Sequence, residues 1–143
     1  MPAPIAWQQI KQTGNLPSPR SGHTIVTIGK THYLFGGLEQ PEKFNDPKDL
    51  LPKNELYALR IVNNGTVEWT LKPCTGDLPF GRAFHAACKV QEDKMFIFGG
   101  CYTSNERYND TYYLKLRKFA LTQPPSSGSN LPIKSPKALP KTQ

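Results

Sequence analysis

Two histidines and two arginines are the residues whose types and spacing could support chemistry in this chain. Histidine can bind a metal or act as a general base. His23 and His85 lie 62 residues apart, and so do Arg20 and Arg82. A catalytic or metal-binding group is needed once, whereas a structural hydrogen bond is needed in every copy of a repeated unit. The repetition therefore favours structural roles, with each arginine using its planar guanidinium to bind backbone carbonyl groups.

Other signatures of chemistry are missing from the sequence. There is no Gly-rich phosphate loop, nucleophile elbow, His-Glu-x-x-His helix or carboxylate pair. Cys74, Cys88 and Cys101 are odd in number and lack Cys-x-x-Cys spacing, which favours reduced thiols over disulfides or a structural zinc site. We therefore expect a non-enzymatic protein with no catalytic residues, no metal and no cofactor.

The four side chains belong to a longer internal repeat. Two short apolar runs, 32–35 and 94–98, each end in a diglycine, and each is followed by a polar loop and an Asn-acid-x-Tyr segment. A fixed period across several element types indicates a repeat architecture. We expect structural roles at all the repeated positions, including packing rather than base stacking for the aromatic residues. These positions are Arg20, His23, Gly36, Gly37, Tyr57 and Trp69 in the first unit and Arg82, His85, Gly99, Gly100 and Tyr112 in the second.

Within each unit, short β-branched and aromatic runs separated by turn residues predict antiparallel strands joined by hairpins. The fold class is therefore all-β. The segment 7–10, around Trp7, is predicted to form a short preceding strand, and 22–28 a strand buried on both faces. The predicted strands are 22–28, 31–35, 54–62 and 67–71 in the first unit, and 84–90, 94–98, 109–116 and, weakly, 119–122 in the second.

The C-terminal segment 121–143 differs in composition from the rest. Pro, Ser and Lys dominate it, and no acidic residue occurs between 117 and 143. Because such a segment has little apolar surface to offset the entropy of ordering, we expect a disordered tail. Residues 117–143 carry five of the formal +7 charges. These residues serve either as a solvated linker or as a contact for nucleic acid or an acidic partner. The rest of the chain is close to charge balance, so nucleic acid is not expected to bind there.

The combination of Pro-x-Pro-Arg-x-Gly-His, Tyr-x-Phe-Gly-Gly, Asn-acid-Leu-Tyr and a later Trp resembles the kelch repeat. The first unit is particularly similar to host cell factor-like and related long-loop kelch proteins. The resemblance implies four-stranded antiparallel blades of a β-propeller. It divides the chain into an N-terminal strand and connection (1–21), which closes the ring in a full propeller, a first blade (22–73), a second blade (74–120) and the tail (121–143).

The chain departs from the kelch pattern in having only two blades, since a propeller has about four to eight. Each blade of a repeat array buries its faces against its neighbours. The chain is therefore either a piece or short isoform of a longer, incomplete propeller, or it self-associates to complete one.

The resemblance implies binding of a protein or peptide partner through the loops at one end of the blades, in a scaffold, adaptor or coregulator. The alternative is that the blades regulate a larger kelch-containing enzyme system, such as a phosphatase or a ubiquitin-ligase adaptor. Aromatic residues and arginine anchor many interfaces. The candidate partner-binding residues on these loops are Phe44, Lys48, Asp49, Asp77, Phe80, Tyr102, Asn105, Arg107 and Tyr108.

Nothing in the sequence predicts secretion or membrane insertion. The N-terminus lacks a basic region followed by an apolar one, and no stretch approaches the roughly 18 apolar residues of a membrane span. We expect a cytoplasmic or nuclear protein without a membrane partner.

Overall fold

The structure, a computed structural model, describes residues 1, 3–43, 45–102 and 105–117. Within these ranges the chain is all-β, with one short 3₁₀ helix, Pro47–Asp49, in a loop. The eleven strands of the described residues are β1 (Lys11–Gly14), β2 (Arg20–Ser21), β3 (Thr24–Ile28), β4 (Thr31–Phe35), β5 (Leu38–Glu39), β6 (Leu51–Pro52), β7 (Leu56–Asn63), β8 (Thr66–Lys72), β9 (Ala86–Val90), β10 (Lys94–Phe98) and β11 (Thr111–Lys115).

The first blade is the antiparallel meander β3, β4, β7 and β8. Its strand positions agree with the sequence prediction to within about two residues at each end, an ordinary margin for strand boundaries. The prediction that its first strand is buried on both faces is wrong. In β3, Val26 and Ile28 are buried, whereas Ile25 is half exposed, because alternate residues of a strand point to opposite faces and only one face is fully covered.

The segment 7–10 is not a strand, and the side chain of Trp7 is fully exposed. The strand forms four residues later, as β1, and pairs in parallel with the outer edge of β8. Side chains reinforce this pairing: Thr13 Oγ1 donates to the carbonyl of Val67 at 3.0 Å, and Trp69 Nε1 donates to Gln12 Oε1 at 2.7 Å. An exposed strand edge offers unpaired backbone groups, and β1 satisfies part of them.

The second blade is a three-stranded antiparallel sheet, β9, β10 and β11, among the described residues. Its first three strands were predicted, and the weakly predicted fourth, 119–122, lies outside the described residues, as does the tail. A third sheet of short strands, β2, β5 and β6, lies in the loops of the first blade and was not predicted.

The core lies between the two blades. The first blade contributes one face of its sheet, and the second contributes Met95 and Ile97 from β10, which are 1% and 5% exposed. A smaller cluster of Leu34, Tyr57 and Trp69 occupies the opposite face of the first blade. The buried residues of the core between the blades are Val26, Ile28, Phe35, Leu56, Met95 and Ile97.

Candidate functional site

Arg82 is the centre of the loop end of the second blade. Its side chain is completely buried, and it donates from Nε to the carbonyl of Phe80 at 3.2 Å and from Nη1 to that of Gly99 at 2.9 Å. Both terminal nitrogens also bind the carboxylate of Asp110, Nη2 to Oδ2 at 3.0 Å. The hydrogen bond from Arg82 holds the pKa of the Asp110 carboxyl below its usual value. The ion pair is bidentate, and the Arg82 side chain has no contact with solvent.

Two tyrosine rings cover the same guanidinium. The guanidinium carbon of Arg82 lies 4.3 Å from the ring centroid of Tyr108 and 5.4 Å from that of Tyr112. Burial raises the pKa of the Tyr108 hydroxyl. Cation–π contacts at such distances add to the ion pair and fix the ring positions.

Arg20 repeats these contacts in the first blade. It donates to the carbonyls of Ser18 at 3.1 Å and Gly36 at 3.2 Å, and to Glu55 Oε2 at 3.0 Å. Its guanidinium carbon lies 5.4 Å from the ring centroid of Tyr57. The carbonyls of Ser18 and Gly36 and the side chains of Glu55 and Tyr57 have counterparts around Arg82, whereas the hydrogen bond from Arg20 Nη2 to Ser18 Oγ at 2.8 Å has none.

The acidic partners Glu55 and Asp110 were not among the predicted site residues. A signal for them existed, because each is the acid of an Asn-acid-x-Tyr segment and each unit contains one such segment and one arginine. A buried arginine needs a carboxylate, and a repeated acid was the candidate at hand.

His85 joins the two blades. The residue is 5% exposed, its Nε2 lies 2.7 Å from Thr24 Oγ1, and its ring makes a T-shaped contact with the ring of Phe35, with centroids 5.4 Å apart. Burial, with smaller effects from Arg82 and His23, lowers its pKa to about 4, so the imidazole is neutral at neutral pH. His23 occupies the same repeat position but is exposed, because the described residues include no blade on that side of the first one.

Main-chain hydrogen bonds form the rest of this junction, which we name the seam. The N–H of Gly37 donates to the carbonyl of Arg82 at 2.8 Å, and the N–H of Arg82 donates to the carbonyl of Lys53 at 3.1 Å. The N–H of Phe84 donates to the carbonyl of Gly22 at 2.7 Å. The diglycines allow this approach, since Gly37 adopts a φ of 101° that disfavours other residues.

The long loops emerge at the same end of both sheets. In the first blade Phe35 pairs with Leu56, and Leu56 pairs with Lys72, so the loop 36–55 and the connection 73–85 leave the sheet side by side. In the second blade Phe98 pairs with Thr111, which places the loop 99–110 at the corresponding end. We name these three segments the loop face.

Contacts of single residues bring the three segments of the loop face together. Asn54 Nδ2 donates to the carbonyl of Pro79 at 3.3 Å and joins the first loop to the connection. The ring of Tyr108 lies over Arg82 and joins the second loop to the same connection. The loop face is therefore one continuous surface rather than three separate loops.

An ionic cluster stiffens the first loop. Lys53 Nζ lies 2.6 Å from Glu39 Oε2 and 3.7 Å from Glu55 Oε1. The close contact between Lys53 and Glu39 raises the pKa of the Lys53 ammonium and lowers the pKa of the Glu39 carboxyl. Because Glu55 also binds Arg20, the cluster continues into the arginine site of the first blade.

The predicted partner-binding residues differ in their surroundings. The carboxylate of Asp49 accepts hydrogen bonds from the N–H groups of Asn45 and Asp46 at 3.2 and 3.1 Å, and so it stabilises its own loop. Tyr108 is partly buried against Arg82, and Phe44 lies outside the described residues. Partner binding by any of them stays a prediction. The exposed ones are Lys48, Asp77, Phe80, Tyr102, Asn105 and Arg107.

A family model described as the KLHDC2/KLHL20/DRC7 Kelch-repeats domain matches residues 47–138, more than half of the chain. The chain belongs to the kelch-repeat family. The kelch resemblance drawn from the diglycines and the Asn-acid-x-Tyr segments is thus confirmed.

Similarity to individual proteins is consistent with this family. The kelch chain is 32% identical over 106 residues to Kelch domain-containing protein 2 of Bos taurus, covering 74% of this chain and 23% of that protein. It is 32% identical over 111 residues to Dynein regulatory complex subunit 7 of Chlamydomonas reinhardtii, covering 77% and 9%. It is 33% identical over 134 residues to Host cell factor 1 of Rattus norvegicus, covering 85% and 6%. The chain therefore spans less than a quarter of each of these relatives.

Within the described residues of the kelch chain, no three His, Cys, Asp or Glu side chains are grouped so that they could hold a metal ion. No helix in the same ranges is long and apolar enough to cross a membrane. Cys74, Cys88 and Cys101 are free thiols, and burial raises the pKa of Cys74.

Proposed function

We propose that this kelch chain is a non-enzymatic protein-interaction module whose loop face binds a protein or peptide partner. The observation that carries the proposal is the continuity of the loop face across both blades, with its exposed residues held by buried anchors. Arg82 is one such anchor, since it fixes Phe80 through a carbonyl and the second loop through Tyr108. A preorganised surface loses little conformational entropy on binding.

The exposed side chains fit this role. Phe80 is 45% exposed in the connection 73–85, and Tyr102 is 44% exposed in the second loop. Arg107 is exposed on the same loop as Tyr102. Large aromatic residues and arginine are enriched among the residues that dominate binding energy. By analogy with relatives such as a subunit of a dynein regulatory complex, the setting is a scaffold, an adaptor or a coregulator. The blades are those of an incomplete β-propeller.

A selection of peptides tests the proposal. A random peptide library displayed on phage would be selected against the purified chain, and the affinity of the enriched peptides would be measured by calorimetry. Phe80→Ser and Tyr102→Ser should each weaken binding by about tenfold or more, as expected for hot-spot residues. Val62→Ser changes a residue that is 57% exposed on β7, away from the loop face, and should leave the affinity unchanged. Selected peptides that bind equally to all three variants would contradict the proposal.

A second candidate is that the blades serve a larger protein that has a catalytic domain, such as a phosphatase, or that recruits substrates to a ubiquitin ligase. The fact that the chain spans only 23% or less of the relatives named above favours it over an isolated module. Adding the chain in trans to such an enzyme and finding changed turnover would support this alternative, whereas unchanged turnover would favour the simple interaction module.

A further inference from the structure

Within residues 1, 3–43, 45–102 and 105–117, nothing covers the outward face of the second blade. On β10, Met95 and Ile97 point toward the first blade, so the alternate residues Phe96 and Phe98 point away from it. Phe98 is 53% exposed, and Tyr113 on β11 is 64% exposed. An exposed apolar surface with this aromatic content marks an interaction site. We name the set Cys88, Phe96, Phe98 and Tyr113 the open flank.

An open cavity of about 420 Å³ continues this flank toward the loops. Phe98 and the second diglycine form part of its wall, together with Cys101 and Tyr108. Phe84 and Arg107 also line it, and the second diglycine is the repeat counterpart of the diglycine that takes part in the seam on the first blade.

By strand register, the open flank corresponds to a surface of the first blade that the second blade covers. In the second blade Cys88 pairs with Phe96, and Phe96 pairs with Tyr113. In the first blade the corresponding row is Val26, Tyr33 and Ala58. Val26 and Ala58 are 5% and 2% exposed. The difference in exposure arises because the second blade covers this face of the first.

The surface of the second blade that covers the first blade also has a counterpart on the first blade. The second blade covers the first with the side of its sheet that carries the cross-strand row Ala87, Ile97 and Tyr112. The corresponding row of the first blade is Ile25, Leu34 and Tyr57. Ile25 is 50% exposed, whereas Leu34 and Tyr57 are 4% and 7% exposed because they already pack with Trp69, so Ile25 is the exposed member of the row. We name this row the closing flank.

The backbone groups of the seam recur at both ends of the chain as well. The counterparts of the three seam bonds are Gly100 N–H to the carbonyl of Arg20, Arg20 N–H to that of Tyr108, and Gly22 N–H to that of Phe84. Ser21 pairs with Leu38 as Ala83 pairs with Cys101, which leaves the N–H and carbonyl of Arg20 on the opposite side of the strand. Among the described residues, none donates to the carbonyls of Tyr108 or Phe84.

We propose that the open flank of one copy binds the closing flank of a second copy, so that kelch chains of this sequence associate head to tail. One chain carries both halves of a junction that it also forms internally, and the halves lie on opposite sides of the blade pair. Such a contact between unlike surfaces is heterologous and extends or closes into a ring. Ala86 occupies the repeat position of Thr24, whose Oγ1 lies 2.7 Å from His85 Nε2. His23 of the second copy therefore meets no hydroxyl group at that position, and the contact is weaker than the internal one.

Solution mass tests the proposal. Light scattering of the complete chain over a range of concentrations should give a mass that rises above the 16.0 kDa of one copy. Phe98→Lys on the open flank and Ile25→Lys on the closing flank should each restore the monomer, because each places a charge in an apolar contact. Val62→Lys, at an equally exposed position outside both flanks, should associate like the unchanged chain. Circular dichroism and thermal unfolding would confirm that the variants are folded.

A mixture of the two flank variants distinguishes head-to-tail contact from any other association. Phe98→Lys retains an intact closing flank, and Ile25→Lys retains an intact open flank. Equal amounts should therefore form one-to-one pairs of twice the monomer mass and nothing larger. Failure of the mixture to pair, or persistence of oligomers in either variant alone, would overturn the proposal. A monomeric unchanged chain would also overturn it.

This inference goes beyond the proposed function and can fail separately. The open flank and the loop face share no exposed aromatic anchor, since the former uses Phe98 and Tyr113 and the latter Phe80 and Tyr102. The Ile25→Lys monomer, whose change on β3 lies outside the cavity that Phe98 shares with Tyr108, should therefore bind the selected peptides with unchanged affinity. Loss of association with retained peptide binding is the result expected if both proposals hold.

Discussion

The carbonyl oxygen of Arg82 accepts a hydrogen bond from the N–H of Gly37 at a distance of 2.8 Å. This contact sets how closely the backbone of the second blade approaches the first diglycine. A Cβ added at the neighbouring Gly36 would lie 2.6 Å from the same oxygen. The diglycine thus ends a strand and at the same time makes room for the next repeat.

Gly36→Ala should destabilise the chain strongly. Gly36 has a φ of 71° and Gly29 a φ of 62°, so alanine at either position adopts a left-handed conformation that costs roughly 1–2 kcal/mol. Nothing lies within 4 Å of a Cβ at Gly29, whereas Gly36→Ala also displaces Arg82 and should cost roughly 1–3 kcal/mol more. Urea unfolding of both variants measures the difference, and equal midpoints would contradict the tight approach at the seam.

Asp110→Ala should remove the partner of a fully buried guanidinium. Breaking a buried ion pair by deleting one member costs about 3–5 kcal/mol in free energy of unfolding, and the partial exposure of Asp110 places the loss near the lower end. Glu92→Ala is the control, because the Lys89–Glu92 pair is on the surface and such pairs contribute about 0–1 kcal/mol. A loss no larger than that of the control would show that Arg82 finds compensation elsewhere.

Trp69→Ala and Trp7→Ala should separate two residues that share one repeat position. Trp69 is 8% exposed, packs edge-on to Tyr57 and hydrogen-bonds Gln12. Its truncation should cost about 3–5 kcal/mol. Trp7 is fully exposed, and its truncation should change stability by less than about 0.5 kcal/mol. Thermal unfolding followed by circular dichroism measures both, and similar shifts would place Trp7 in a packed environment.

His85 should make stability depend on pH above the range in which carboxylates titrate. Its folded pKa of about 4 lies below the ordinary value of 6.5, so the unfolded chain binds more protons between these values. The free energy of unfolding should fall as pH drops from 7 to 5, with a slope of at most about 1.4 kcal/mol per pH unit. In His85→Gln, which does not titrate, the slope over this interval should flatten. An unchanged slope would assign the dependence to other groups.

Much of this fold could be read from the sequence because its strongest signals are periodic. The two diglycines and the 62-residue offset between Arg20 and Arg82 predicted the repeated strands and their order. Eight of the predicted strands lie within the described residues. The seven that belong to the two repeat units form with ends shifted by about two residues or fewer, whereas 7–10 does not form a strand. Local β-branched runs and tight turns determine such elements with little help from tertiary contacts.

Features that depend on distant partners were not predictable in the same way. The strand β1 forms because the outer edge of β8 is open to pairing. The residues around Trp7 do not by themselves indicate that edge, so the strand was predicted at the wrong place. The ion pairs of Glu55 and Asp110 needed both the repeat and the rule that buried cations are paired. The small sheet of β2, β5 and β6 joins strands of two residues each, which are too short for any periodic signal.

The side-chain bonds of Arg82 end on Phe80, Gly99 and Asp110, all within residues 74–120, whereas the seam between blades uses mainly backbone groups. Backbone groups are the same in every residue except proline. A gene segment encoding one such unit also encodes the apolar face and the diglycine that the junction needs, so a duplicated copy carries with it the groups that join it to its neighbour. Anchors kept inside a unit and generic bonds between units are what allow arrays of this kind to lengthen during evolution.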